Sequence, residues 1–94
     1  MRKTIGKKIL PEYFKAVVSG QKPFELRKDE DNIQPGDVLA LYEWNPDSKS
    51  YTGRMVEKRV SYVLRKCPKY GLMDGYCIIG FANCSVDFEK EVSL

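Results

Sequence analysis

Pro11-Glu12-Tyr13-Phe14-Lys15-Ala16-Val17-Val18-Ser19-Gly20 runs directly into Gln21-Lys22-Pro23-Phe24-Glu25-Leu26-Arg27-Lys28, and across that junction the spacing of apolar residues changes from helical to strand-like. In the first half the pairs Tyr13/Val17 and Phe14/Val18 stand four apart and share one helix face. Pro11 suits a first helical turn, where its missing N–H removes no bond, and Glu12 complements the positive end of the helix dipole. Gly20 supplies a C-cap signal. These features predict a short amphipathic helix over about residues 11 to 19. In the second half Phe24 and Leu26 alternate with Glu25 and Arg27, the period of two that sends neighbours to opposite faces of a strand. Phe24 and Leu26 are expected to face the core, leaving Glu25 and Arg27 together on the other side.

Working toward the C-terminus, Asp29-Glu30-Asp31-Asn32 reads as a loop and Gln34-Pro35-Gly36-Asp37 as a turn, with Pro and Gly at consecutive turn positions. Val38-Leu39-Ala40-Leu41-Tyr42-Glu43-Trp44 is apolar enough for a strand buried on both faces, as in a small closed barrel. The turn formers Asn45-Pro46-Asp47-Ser48-Lys49-Ser50 then lead to a long antiparallel return strand. On it Val56, Val60, Tyr62 and Leu64 are expected on one face and Glu57, Arg59, Ser61 and Arg65 on the other. Lys58 breaks the register and is read as a bulge or a snorkelling side chain. After a loop from about Cys67 to Asp74 comes a buried strand over Gly75 to Ala82, and a short strand is expected over Ser85 to Phe88. Upstream, the first clear element begins at Pro11. The sum is a strand-rich α+β domain, one or two short helices with four or five strands, too short for βαβ crossovers.

Composition narrows the function classes. Ninety-four residues, 43% hydrophobic, predict a single domain over residues 1–94 with one core. Charged residues of both signs make up 31%, against disorder, and no apolar run approaches the roughly 18 residues of a membrane span. Met1-Arg2-Lys3-Thr4 is basic but lacks a following apolar h-region, so the cytoplasm is the expected compartment. Cys67, Cys77 and Cys84 are odd in number and match neither a disulfide framework nor a metal knuckle. The chain has no histidine, the commonest zinc ligand and general base, so neither a metal, a cofactor nor a Ser-His-Asp mechanism is expected. A net charge of +3 favours anionic partners only mildly, so any nucleic-acid contact is expected to be local.

Gly20-Gln21-Lys22-Pro23-Phe24-Glu25-Leu26-Arg27 resembles the G-x-K-x-x-E-x-R signature of ASCH domains, set between helix and strand as in that family. Gly36-Asp37 before an apolar strand also matches. Pro11-Glu12-Tyr13-Phe14, Tyr51-Thr52-Gly53-Arg54, and Gly71-Leu72 with Gly75-Tyr76 are similar to motifs of small ASCH-like proteins of bacteria and phages. In order, these stretches cover roughly residues 8 to 82. The resemblance implies a small β-barrel of the PUA-like superfamily, with a cleft lined by the signature residues and RNA or modified nucleotides as ligands. One ASCH branch hydrolyses N4-acetylcytidine. Asp31 departs from the pattern, standing where similar sequences carry arginine. Glu25 departs from the hydrolytic branch, which has threonine three residues after the signature lysine.

Lys22 is the centre of the expected site. Between a helix end and a strand, it can donate to a phosphate or a base carbonyl, or act as a base; the ordinary alternative is a solvated surface lysine. Glu25 and Arg27, about 7 Å apart along one strand face, can frame a base edge with an acceptor and a forked donor, or form a structural ion pair at the barrel rim. Trp44 is a candidate stacking surface because its strand runs into a polar turn, and Tyr42 and Tyr51 lie near the same hairpin. Arg54 belongs, with Arg59, Arg65, Lys66 and Lys69, to a basic stretch that reads as a solvated face or as phosphate contacts. The expected ligand set is therefore Lys22, Glu25, Arg27, Trp44 and Arg54, with RNA, a nucleotide or a modified nucleoside as partner. A small metal-independent amidohydrolase using Lys22 and Glu25 is the alternative, and a phage or host protein-interaction domain is a third.

Overall fold

A computed structural model describes residues 2–82 in full and residues 88–91 by their backbone pairing. The elements are β1 (Thr4–Ile9), α1 (Pro11–Val18), β2 (Phe24–Lys28), β3 (Val38–Asn45), β4 (Ser50–Arg65), a single 3₁₀ turn (Pro68–Tyr70), β5 (Tyr76–Phe81) and β6 (Phe88–Glu91). The expected strand over Ser85 to Phe88 lies, but for Phe88, outside the described residues, as does Cys84. No helix among the described residues is long and apolar enough to cross a membrane.

The strands pair in the order β1-β3-β4-β5-β2, and β6 joins β4 off that path. The chain is thus strand-rich α+β, as expected. Its path is open where a closed barrel was expected, with β1 and β2 at its two ends. β4 explains how one sheet bends into two. Its first part, Ser50 to Arg59, pairs with β3, and Val60 to Arg65 pair with β5. The register shifts between Val60 and Tyr62, so the irregularity lies here and not at Lys58, which stays in register opposite Leu39. An extra residue in one strand turns the following side chains over. Val56 and Val60 are accordingly buried, whereas Tyr62 is 63% exposed and Val63 packs on the core in its place. The single face expected for Val56, Val60, Tyr62 and Leu64 is corrected by that shift.

Two further corrections concern the first strands. β1 runs parallel to β3, Thr4 opposite Val38 through Ile9 opposite Glu43, and the connection between them contains α1 and β2. A parallel crossover is therefore present. The alternation in β1 is masked because Lys7 occupies an inward position between Ile5 and Ile9. It is tolerated there because its ammonium lies 2.5 Å from Asp31 and 3.3 Å from Glu30; Asp31, the departure from the ASCH pattern, thus anchors the acidic loop to β1.

The helix buries Phe14 and Val17 and leaves Tyr13 exposed, so its inner face centres on an i, i+3 pair. It packs against β3, and Phe14, Val17, Leu39, Leu41, Val60 and Ile79 form much of the core. Each such side chain contributes about 1.5–3 kcal/mol on burial. The Gln34–Asp37 turn closes with Asp37 N–H donating to the Gln34 carbonyl at 3.0 Å, and Gly36 takes the positive φ of 97° required at its third position. Asp37 is buried and accepts from the backbone N–H groups of Gln34 and Lys3, both at 2.9 Å, and from the Lys3 ammonium at 3.0 Å. The Gln34 N–H, reinforced by Lys3, outweighs burial and holds its carboxyl at about 2.

Candidate functional site

The strand that carries the charged pair is turned over relative to expectation. On β2, Glu25 is 4% exposed, whereas Phe24 and Leu26 are 41% and 56% exposed. The alternation and the shared face of Glu25 and Arg27 hold; the direction of that face does not. A buried carboxylate needs compensating donors, and this one has them on both oxygens. Oε1 accepts from the Lys22 ammonium. Oε2 accepts from Arg27 Nε at 3.0 Å and lies 2.9 Å from Nη2. Arg27 Nη2 also donates to the Lys8 carbonyl, fixing the guanidinium across the gap between β2 and β1.

These groups line a cleft of about 410 Å³ formed by Lys8, Ile9, Leu10, Tyr13, Lys22, Phe24, Glu25, Leu26 and Arg27. Its position follows from the chain path: β1 ends at Ile9, the helix starts at Pro11, and the Gly20 turn returns the chain as β2. Gly20 has φ 85°, and the Lys22 N–H then donates to the Ala16 carbonyl at 3.0 Å. This clamps the segment carrying Lys22 back onto the helix. The Lys22 ammonium lies 5.1 Å from the Tyr13 ring centre and 5.3 Å from that of Phe24, within cation–π range.

Lys22, Glu25 and Arg27 therefore come together; Trp44 and Arg54 do not join them. Trp44 is half-buried and outside the cleft lining, but the Lys8 ammonium sits 3.8 Å above its ring. Tyr51 meets Trp44 edge to face at 4.9 Å, and Tyr42 meets Tyr51 at 6.3 Å. An aromatic ledge thus adjoins the cleft through Lys8. Arg54 instead clamps the buried Glu43, with Nε to Oε1 at 2.9 Å and Nη2 to Oε2 at 3.0 Å, while its guanidinium lies 5.0 Å from the Phe14 ring. Thr52 adds a 2.5 Å bond to Glu43 Oε1. Burial alone would raise the Glu43 pKa, but the bonds from Arg54 and Thr52 together hold it below the ordinary value. Arg54 is removed from the cleft by that pairing.

The basic stretch is likewise not a uniform solvated face, because Arg65 binds Asp29 at 2.6 and 3.1 Å and the Ile33 carbonyl at 3.0 Å. Cys67 and Cys77 are free thiols; Cys77 is buried, and burial raises its pKa. Among the described residues no three His, Cys, Asp or Glu side chains gather as a metal site. Sequence reasoning missed Lys8, Tyr13 and Phe24 as cleft residues. Lys8 lay in a strand that its charges concealed, and the two aromatics were read as packing. The available signal was the Pro11-Glu12-Tyr13-Phe14 motif, whose Tyr13 is exposed and Phe14 buried.

Over 56 residues the chain is 41% identical to a protein of Escherichia phage P2 described as an uncharacterized 12.9 kDa protein in the GpA 3′ region. The aligned part is 60% of this chain and 50% of the phage protein, so it spans about half the length of that relative. A family described as a domain of unknown function, DUF3850, matches residues 6–81, a range that contains every cleft residue. The chain belongs to this DUF3850 family.

Proposed function

We propose that the cleft between the ends of β1 and β2 is a nucleotide- or RNA-binding site, and that the chain is an ASCH-type domain whose open strand path corresponds to a PUA-like barrel. The observation that carries this reading is the convergence of Lys22, Glu25 and Arg27, the signature positions, in one cleft. Its volume falls within the roughly 300–1,000 Å³ common for small-molecule sites. The exposed rings of Tyr13 and Phe24 offer a base apolar surface beside the charged groups. Arg27, bonded to the Lys8 carbonyl, supplies a side-chain link where the strand path is open.

The test is a titration of isotope-labelled protein with nucleosides, nucleotides and short single-stranded RNAs, followed by backbone amide shifts. Shifts are expected to concentrate at residues 8–10, 13 and 22–27, and Lys22→Ala is expected to weaken binding by about 1–3 kcal/mol. Absence of binding by every compound, or shifts confined to another face, would refute the site. A second reading, a metal-independent amidohydrolase acting on an N4-acylated cytidine-type nucleoside, is favoured by one observation, the direct contact of Lys22 with Glu25.

A further inference from the structure

We propose that the cleft holds its ligand by a phosphate oxyanion placed between Lys22 and Arg27, and that Glu25 is a positioning residue that does not touch the ligand. This rests on the nucleotide- or RNA-binding reading above and assigns which part of the nucleotide the charged groups hold.

The charge inventory is the first argument. Two cations, Lys22 and Arg27, face one carboxylate, Glu25, in the cleft, and the Lys8 ammonium stands at its edge over Trp44, so positive charge is in excess in a partly desolvated space. A neutral nucleoside leaves that excess uncompensated; a phosphate offsets it. The second argument is access. Both Glu25 oxygens already accept, Oε1 from Lys22 and Oε2 from Arg27, and the carboxylate side chain is 5% exposed. A base N–H entering the cleft therefore meets two cations before it can reach an acceptor. The donors that remain are those of the cations. An ammonium carries three N–H groups, of which Lys22 directs one at Glu25. Arg27 spends Nε and Nη2 on Glu25 and on the Lys8 carbonyl, while Nη1 is engaged by none of the described residues. With the Lys22 and Arg27 side chains 19% and 23% exposed, their spare donors can reach a ligand without leaving Glu25. The carboxylate thus orients two cations toward one point, as a forked phosphate contact requires.

The phosphate can come from a free mononucleotide, from an RNA 5′ end or from an internal phosphodiester. The test measures wild-type affinity for cytidine, CMP, inorganic phosphate, and a uridine tetranucleotide with and without a 5′ phosphate. CMP is expected to bind about tenfold or more tightly than cytidine, with inorganic phosphate competing. Preference for CMP over both tetranucleotides indicates a free nucleotide. A tetranucleotide that binds as well as CMP only when 5′-phosphorylated indicates an RNA end, and one that does so without it indicates internal phosphates. Equal affinity for cytidine and CMP would overturn the phosphate assignment and leave the site standing; failure of all five to bind would remove both. For Glu25→Gln, the ratio of CMP to cytidine affinity is expected to fall toward unity while circular dichroism reports an intact fold. A purely structural role would lower both affinities and preserve the ratio, which would overturn the positioning role. Should Glu25→Gln not fold, Arg27→Lys takes its place, since it keeps the charge and loses the fork; an unchanged ratio there would overturn the oriented contact.

Discussion

The Nη2 group of Arg27 donates a 2.5 Å hydrogen bond to the carbonyl oxygen of Lys8, so one side chain joins β2 to β1, the two strands at the ends of the pairing path. The same guanidinium covers one oxygen of the buried Glu25. Replacing Arg27 by Met keeps the length of the stem and removes every donor. This change is expected to destabilise the fold by about 2 kcal/mol or more, because it leaves a buried carboxylate partly uncompensated. Arg27→Lys is expected to recover only part of the loss, since an ammonium does not reproduce the fork that serves Glu25 and Lys8 together. Urea unfolding of the three proteins checks this, and a loss well under 1 kcal/mol for Arg27→Met would show that the link is incidental.

Glu43 and Arg54 form a second pair, inside the hairpin, in which the carboxylate side chain is 2% exposed and the guanidinium side chain 45%. Breaking such a pair from one side is costlier than removing it. Arg54→Met is expected to cost about 3 kcal/mol, whereas the double change Glu43→Leu with Arg54→Met regains at least half of that. Thermal and urea melts of the two single variants and the double variant complete the cycle. Equal destabilisation of Arg54→Met and the double variant would mean that the guanidinium acts through its contact with Phe14 and not through the charge.

The positions at which sequence and structure diverge share one cause. The helix, its glycine turn, the hairpin and the alternation in β2 are local patterns, and each was readable. The direction of β2 was not, because alternation tells which residues share a face and never which face is inside. Here the inside of β2 is a polar cleft, so Glu25 is buried and Leu26 is exposed. β1 escaped notice because Lys7, held by the distant Asp31, occupies an inward position. Arg54 was assigned to the ligand set because its partner, Glu43, lies across a register irregularity between Tyr42 and Trp44 that no local pattern reports. By contrast Lys22, Glu25 and Arg27 lie within six residues, and the turn that joins helix to strand brings them together.

Asp37 sets the expected acid response. Its carboxyl pKa is lowered from an ordinary 3.8 to about 2 by the Gln34 N–H and the Lys3 groups. A carboxyl with a depressed folded-state value contributes stability above its unfolded value, and that contribution fades as pH falls from about 4 through about 2. With Lys3 half exposed, the contribution is on the order of 1–2 kcal/mol. Asp37→Asn is expected to lower stability at neutral pH and to flatten the loss between about pH 4 and 2. Urea midpoints measured across that range decide the matter: a wild-type acid limb as steep in the variant would assign the acid sensitivity to other carboxylates, such as Asp29 beside Arg65.

The Lys22–Glu25 contact separates binding from hydrolysis. A general base must reach the proton it removes, directly or through one water. Glu25 lies behind Lys22 and Arg27, which donate to its two oxygens, with its side chain only 5% exposed, and the chain carries no histidine to replace it. Neither threonine of the chain stands at the hydrolytic position, since Thr4 pairs opposite Val38 at the start of β1, Thr52 is bonded to Glu43, and both are absent from the cleft lining. Wild-type protein incubated with N4-acetylcytidine is therefore expected to release no acetate, by chromatographic assay, under conditions in which it binds a nucleotide. Lys22→Ala and Glu25→Gln are expected to alter binding alone. Acetate release by wild type, lowered on the order of 100-fold by either substitution with folding intact by circular dichroism, would replace the binding module with the amidohydrolase.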